Sequence, residues 1–148
     1  MGPKGLRPAS VEPERVFVDS GPWIALASAR DGRHADADRL FRGALARRVP
    51  LVTTDLVIAE SHRLLLFRAG AAVARAFLDR VDRSPALRLE FATAERHQRA
   101  RHWLEQLADQ TITYTDALSF AVVEDTRCAS VLTFDDDFTV AGFRPFAG

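Results

Sequence analysis

Acidic residues recur along this 148-residue chain where an apolar run meets a break or a helix start; they are Asp19, Glu60, Asp116 and the cluster Asp135–Asp137. Carboxylates cost free energy to desolvate and repel one another, so a fold that gathers them needs a compensating cation. Hard oxygen ligands around an open site suit Mg²⁺ or Mn²⁺. The pattern therefore indicates a divalent-metal site, and phosphodiester chemistry at that site.

Runs of apolar residues alternate with helical patterns, which predicts an α/β fold. Strands are predicted over 16–18, 50–53, 87–91 (as an edge strand) and 130–134, with a short terminal strand or tail over 142–146. Helices are predicted over 23–27, 34–48, 55–67, 71–81, 93–109 and 116–126, the last capped by Thr115. The expected architecture is one domain with a mainly parallel four- to five-stranded sheet and helices on both faces.

This architecture explains how distant acids could meet. Ligands of open α/β sheets bind beyond the carboxyl ends of the strands. Asp19 directly follows the first predicted strand and Asp135 the fourth, so the two would lie side by side if those strands are neighbours. Taken singly, Asp116 could instead stabilise a helix N-terminus, and Asp19 could form a turn. Their joint placement at one end of the sheet favours a shared site.

Composition sets broad limits on the protein. Residues 1–14 contain three prolines and two glycines and are predicted to be a flexible leader before a domain over 15–148. No apolar stretch approaches the roughly 20 residues of a membrane helix, and the start does not resemble a signal peptide. A single cysteine, Cys128, excludes an internal disulfide, and a cytoplasmic location is the default expectation.

Four sequence elements, in this order and at these spacings, resemble the PIN-domain ribonucleases of the VapC toxin type over residues 15–146. They are Val18-Asp19-Ser20, Thr54-x-x-Val57-x-x-Glu60, Tyr114-Thr115-Asp116-Ala117-x-x-Phe120-Ala121, and Leu132-Thr133-Phe134-Asp135-x-x-Phe138-x-x-x-Gly142-Phe143. The last element is the most specific. The proline-rich leader departs from the usual family start, where the first strand opens the chain.

The resemblance implies a catalytic, metal-binding set of carboxylates, namely Asp19, Glu60, Asp116 and Asp135, with Asp137 as a further ligand through water. It implies that the hydroxyls of Ser20, Thr115 and Thr133 orient these carboxylates. It also implies Mg²⁺- or Mn²⁺-dependent cleavage of RNA, with tRNA or another structured RNA as substrate. A homodimer and a small VapB-type antitoxin that occludes the site are the expected partners.

The chain has zero net charge, with 20 basic and 20 acidic residues, and Lys4 is the only lysine. Arginine suits phosphate oxygens, but its prevalence together with abundant alanine is also typical of genomic composition bias. Arginines near the predicted site could contact an RNA backbone or simply form solvated helix faces; they are Arg30, Arg33, Arg63 and Arg68.

Two other functions remain open from the sequence. A non-catalytic PIN-like module could use the same acids to hold a structural ion or RNA. A phosphatase-type hydrolase could use Asp19 as a nucleophile, but Gly21 stands where such enzymes need a second aspartate. The lysine that those enzymes also use has no counterpart here outside the leader.

Overall fold

Four short parallel strands form the sheet of the computed structural model, which describes residues 14–148. They are β1 (Val16–Val18), β2 (Leu51–Thr54), β3 (Leu87–Glu90) and β4 (Ser130–Leu132). Their order is β3-β2-β1-β4, and all neighbouring pairs are parallel. Because β1 pairs with β4 along its whole length, the loops that carry Asp19 and Asp135 are adjacent, as the acid-site prediction required.

Seven helices accompany the sheet within the described residues. They are α1 (Ser20–Ala27), α2 (His34–Ala46), α3 (Asp55–Ala69), α4 (Ala71–Asp82), α5 (Ala94–Gln106), α6 (Tyr114–Asp125) and α7 (Asp137–Val140). Helices α1 to α4 pack on one another, and α5 packs along α6. The predicted α/β fold, with a parallel sheet flanked by helices, is confirmed. No helix in residues 14–148 combines the length and apolarity needed to cross a bilayer. The predicted leader, apart from Glu14, lies outside the described residues.

Aromatic side chains fix the loop that follows β4. Phe138 is 1% exposed and lies directly after the acidic cluster. Its ring contacts Phe120 of α6 edge-on, with 5.0 Å between centroids, and Phe17 of β1 at 6.0 Å. Such pairs add to the free energy of burying the rings. The loop 133–137 is therefore held against both the central strand and α6.

Several predicted boundaries were wrong, each for a local reason. Helix α1 begins at Ser20, not Trp23, because proline is tolerated in the first turn, where Pro22 lies. Helix α6 begins at Tyr114 and is capped by Thr113, not Thr115. For the segment 142–146 the sequence left a short strand and a tail open; it is a tail that forms one isolated bridge, between Pro145 and Val131. A proline cannot donate to a ladder, which limits pairing there.

Arg96 of α5 joins the end of β3 to the end of α6. Its Nη1 lies 3.0 Å from Glu90 Oε2, and its Nε lies 3.0 Å from Asp125 Oδ2. Burial opposes ionisation of Asp125, but hydrogen bonds from Arg96 and Arg99 outweigh it and hold the pKa of Asp125 below its ordinary value. The Arg96 and Glu90 side chains are only 13% and 11% exposed. This network ties the α5–α6 pair to the sheet.

Replacing Arg96 by methionine is expected to lower the free energy of unfolding by about 2 kcal/mol, because Glu90 and Asp125 would each lose one hydrogen-bonded partner in a partly buried setting. Glu90 would keep Arg88, and Asp125 would keep Arg99. Urea unfolding would measure the loss. The matched control is Arg42→Met, since Arg42 pairs with Asp38 on an exposed face of α2. That change should cost less than about 0.5 kcal/mol. Equal losses in the two variants would contradict a special role for Arg96.

Candidate functional site

Asp19 lies at the centre of the candidate site, where β1 passes into α1. It is the N-cap residue of α1 and is only 6% exposed. Its backbone N–H donates to Leu132 O of β4 at 3.0 Å. The Thr133 hydroxyl donates to Asp19 Oδ2 at 2.9 Å. Two neighbouring strand ends therefore fix this carboxylate, and the Thr133 hydroxyl restrains one of its two oxygens.

Burial raises the pKa of Asp19 from 3.8 to about 7. Hydrogen bonds from the Ser20 backbone and the Thr133 hydroxyl act in the opposite direction, while the negative charges of Asp116 and Glu60 raise the pKa further. The electrostatic effect of Asp116 and Glu60 shows that elements distant in sequence bring these acids to one region. In the absence of a cation, the site holds more negative charge than it can stabilise.

Glu60 projects from α3 toward the start of α1. The Ser20 hydroxyl donates to Glu60 Oε1 at 3.0 Å. Helix α3 is itself set by Thr54, whose hydroxyl caps it by accepting from Val57 N at 3.1 Å. The cap satisfies one of the backbone N–H groups that the first turn of the helix leaves unpaired. Ser20 thus links the first strand end to the glutamate on α3.

Asp116 lies in the first turn of α6 and has a structural role there. The Asp116 N–H donates to Thr113 Oγ1, and the Thr113 N–H donates to Asp116 Oδ2, each at 3.1 Å. This reciprocal arrangement is a capping box. Within residues 14–148 the Thr115 hydroxyl makes no hydrogen bond to any of the acids. Thr113 therefore orients Asp116, and the threonine-x-x-aspartate spacing was the sequence signal for it.

The acidic cluster after β4 is organised by its own backbone. The Asp135 N–H donates to Thr133 Oγ1 at 3.1 Å, and the Asp137 N–H donates to Asp135 Oδ1 at 3.0 Å. Asp135 and Asp136 are exposed, whereas Asp137 is half-buried. Burial, followed by the charges of Asp135 and Asp116, raises the pKa of Asp137 to about 6. Asp137 consequently lies within electrostatic reach of α6.

A cavity of about 380 Å³ opens beside these acids. It is lined by Asp19, Ser20, Gly21, Phe134, Asp135 and Asp136. In the described part of the chain, none of the candidate site acids forms an ion pair with an arginine or histidine. The cavity therefore has a strongly negative wall whose acids are not paired with a basic side chain of the described residues.

The donor set suits a hard divalent cation that keeps several of its waters. Among residues 14–148, no three acidic, histidine or cysteine side chains converge closely enough to form a ready-made metal site. Mutual repulsion keeps uncompensated carboxylates apart, and Mg²⁺ is commonly held by one or two carboxylates with water completing its shell. The buried, unpaired Asp19 beside further acids fits that mode of binding.

Metal-free protein is expected to be less stable at pH 8 than at pH 5. Between about pH 4 and 7, folded Asp19 retains a proton that the unfolded chain releases, so stability falls as pH rises through this window. The slope should be on the order of 1 kcal/mol per pH unit. Thermal melts in EDTA across this range would measure it, and Asp19→Asn should reduce the slope to the part that Asp137 contributes. An unchanged slope in that variant would contradict the assignment to Asp19.

Residues 16–144 match the PIN domain family, and the chain belongs to that family. Among its relatives are the 23S rRNA-specific endonucleases VapC20 of Mycobacterium tuberculosis strains CDC 1551/Oshkosh and ATCC 25618/H37Rv. Each is 37% identical over 131 residues, which cover 86% of this chain and 95% of the relative. The chain is thus an endoribonuclease of the VapC type, and the predicted family is confirmed.

Solved structures agree with this assignment. The crystal structure of M. tuberculosis VapC20, described as a sarcin–ricin loop cleaving toxin, superposes with a TM-score of 0.78 at 33% identity; the match covers 86% of this chain and 95% of that one. FitAcB from Neisseria gonorrhoeae superposes with a TM-score of 0.64 at 13% identity, covering 89% and 96% of the two chains. The second likeness concerns the fold alone.

Proposed function

We propose that this protein is a Mg²⁺- or Mn²⁺-dependent endoribonuclease that cleaves a stem-loop of ribosomal RNA at the acidic cavity. The observation that carries the proposal is Asp19, a buried carboxylate without a basic partner among the described residues, placed beside Glu60 and Asp116. A site of this kind favours a divalent cation, and a bound cation makes the approach of RNA phosphates favourable.

Each acid has a distinct part in the proposed mechanism. Asp19, Asp116 and Asp135 would hold the metal, and Asp137 would contact it through water. Glu60 would either contact the metal through water or accept the proton of the attacking water, with Ser20 fixing its orientation. A divalent ion at this position supplies polarisation of the scissile phosphate and a lower pKa for bound water.

The choice of ribosomal RNA rests on the relatives. VapC20 is named for 23S rRNA and for the sarcin–ricin loop. It is 37% identical to this chain over 131 residues, which cover almost the whole domain. The cavity is open and lined largely by polar groups, which suits a phosphate backbone presented by a loop. A structured tRNA is the other substrate class that the family resemblance suggested.

Cleavage assays would separate these substrates. Purified protein would be incubated with a labelled sarcin–ricin stem-loop, the same loop with its sequence scrambled, and a tRNA pool, each with Mg²⁺, Mn²⁺ or EDTA. We expect metal-dependent cutting of the native loop only, and its loss in Glu60→Gln. Cutting in EDTA would overturn the proposed mechanism. Metal-dependent cutting of tRNA alone would overturn the proposed substrate, and RNA binding without cutting would favour the non-catalytic module.

The proposal extends to partners and location. We propose that a small VapB-type antitoxin blocks the cavity, that the protein acts in the cytoplasm, and that two copies associate. Leu66 and Phe67 of α3 are 38% and 76% exposed, and this apolar surface supports association with a protein partner. Light scattering on the purified protein, alone and with a VapB-type antitoxin, would test both associations.

A further inference from the structure

Arg33 covers the ring of a residue that lines the acidic cavity. Its guanidinium carbon lies 3.9 Å from the centroid of the Phe134 ring. Phe134 follows Thr133, whose hydroxyl holds Asp19, and it packs beside Gly21, where an added Cβ would lie 3.6 Å from the ring. A guanidinium this close to a ring centroid gains from a cation–π interaction. Arg33 is thereby placed at the margin of the cavity.

The Arg33 guanidinium is held in place yet retains unused donors. Its Nε donates to Asp36 Oδ2 at 3.0 Å, and its backbone N–H donates to Asp31 Oδ1 at 2.8 Å. Its two terminal nitrogens have no hydrogen-bond partner within residues 14–148, and the side chain is 53% exposed. A planar guanidinium with both terminal nitrogens free is suited to bind phosphate oxygens.

Other arginines near the site lack this arrangement. Arg63 lies over Phe67, on the exposed face of α3, at 5.5 Å. Arg30 and Arg68 line a different cavity, bordered by α1, α3 and α4. Of the arginines considered from the sequence, Arg33 is the one that stacks on a residue lining the acidic cavity.

We propose that Arg33 binds an RNA phosphate next to the scissile one, and that Phe134 is the positioning residue that holds its guanidinium there. The inference rests on the proposed function, since the acidic cavity is taken as the cleavage site. The cavity itself is lined by carboxylates and by no basic side chain. An RNA backbone entering it would gain a cationic contact at the margin, which would fix the register of the strand.

Kinetics of sarcin–ricin loop cleavage would test this role. We expect Arg33→Gln to raise KM on the order of tenfold, while kcat changes less than about twofold. The KM of Arg33→Lys should lie between those of the wild type and Arg33→Gln, because lysine keeps the charge but lacks the planar guanidinium. The matched control is Arg42→Gln, which also breaks an arginine–aspartate pair on α2 but lies away from Phe134.

Equilibrium binding to Glu60→Gln protein gives an independent readout. In that background, Arg33→Gln should reduce the slope of log Kd against log salt by about 1, and Arg42→Gln should leave it unchanged. Phe134→Leu should weaken binding severalfold, and adding it to Arg33→Gln should produce little further loss. Such non-additivity would show that Phe134 acts through Arg33.

Other outcomes would overturn the inference. Equal KM values and salt slopes for Arg33→Gln and Arg42→Gln would exclude the phosphate contact, as would a fall in kcat with KM unchanged. These results would leave the proposed function intact if wild-type protein still cleaves in a metal-dependent way. If wild-type protein neither cleaves nor binds the loop, the proposed function fails and the inference fails with it.

Discussion

Asp19→Asn is expected to impair RNA cleavage strongly and, in the same molecule, to make the metal-free protein more stable. Asparagine keeps the size of the side chain and can still accept the hydrogen bond from Thr133. It removes a buried negative charge that burial and neighbouring acids disfavour. Activity should fall at least about a hundredfold, since changes even to residues that only support metal ligands reach that size. Stability at pH 8 should rise by at least about 1 kcal/mol.

Paired measurements would check both halves of this prediction. Cleavage rates would be measured in saturating Mg²⁺, and unfolding would be measured in EDTA. Asp136→Asn is the control, because Asp136 lines the same cavity but is exposed. We expect that control to change activity less than about threefold and stability within about 0.5 kcal/mol. A loss of stability in Asp19→Asn at pH 8 would contradict the view that the charge is uncompensated.

Asp116→Asn is expected to lose cleavage at least about a hundredfold with little change in stability. Its amide oxygen can still accept from the Thr113 N–H, so the capping box survives while the charge is lost. Thr113→Ala should do the reverse. It removes the side-chain cap on α6 and should lower stability by about 1 kcal/mol, yet leave most of the activity.

Helix α5 provides a matched control for the cap of α6. Thr93 caps α5 by accepting from Arg96 N, without an acid in the reciprocal position. Thr93→Ala should therefore lower stability by about as much as Thr113→Ala while leaving cleavage unchanged. If Asp116→Asn and Thr113→Ala instead impaired stability and activity in the same proportion, Asp116 would be acting through the helix rather than at the reaction.

Local signals account for most of what the sequence predicted correctly. Val16–Val18 are β-branched and aromatic residues bounded by polar ones, and they form the fully buried central strand. Thr54 precedes an apolar helix and caps it. Errors arose where two local interpretations competed. Thr113 and Thr115 could each cap α6. Thr113 is the cap because the Asp116 side chain accepts a hydrogen bond from the Thr113 N–H. The usual capping-box pattern has glutamate or glutamine three residues after the cap, so an aspartate there is easily overlooked.

Long-range pairing sets the limit on what could be foreseen. Placing Asp19 near Asp135 required β1 beside β4, which strand patterns allow but do not impose. The contact of Arg33 with Phe134 joins the start of α2 to the loop after β4, and the residue pattern of neither segment predicts it. The bond from Thr113 to Asp116 is local and readable, whereas the effect of Asp116 on Asp19 depends on tertiary packing.

The hydrogen bond between Thr133 and Asp19 spans 114 positions of the chain. Contacts this distant form late, after the intervening segments have been made and ordered. A growing chain therefore cannot complete its acidic site until residues 130–137 have left the ribosome. We therefore expect nuclease activity to appear only after this last segment has emerged, and not while the incomplete chain is being synthesised.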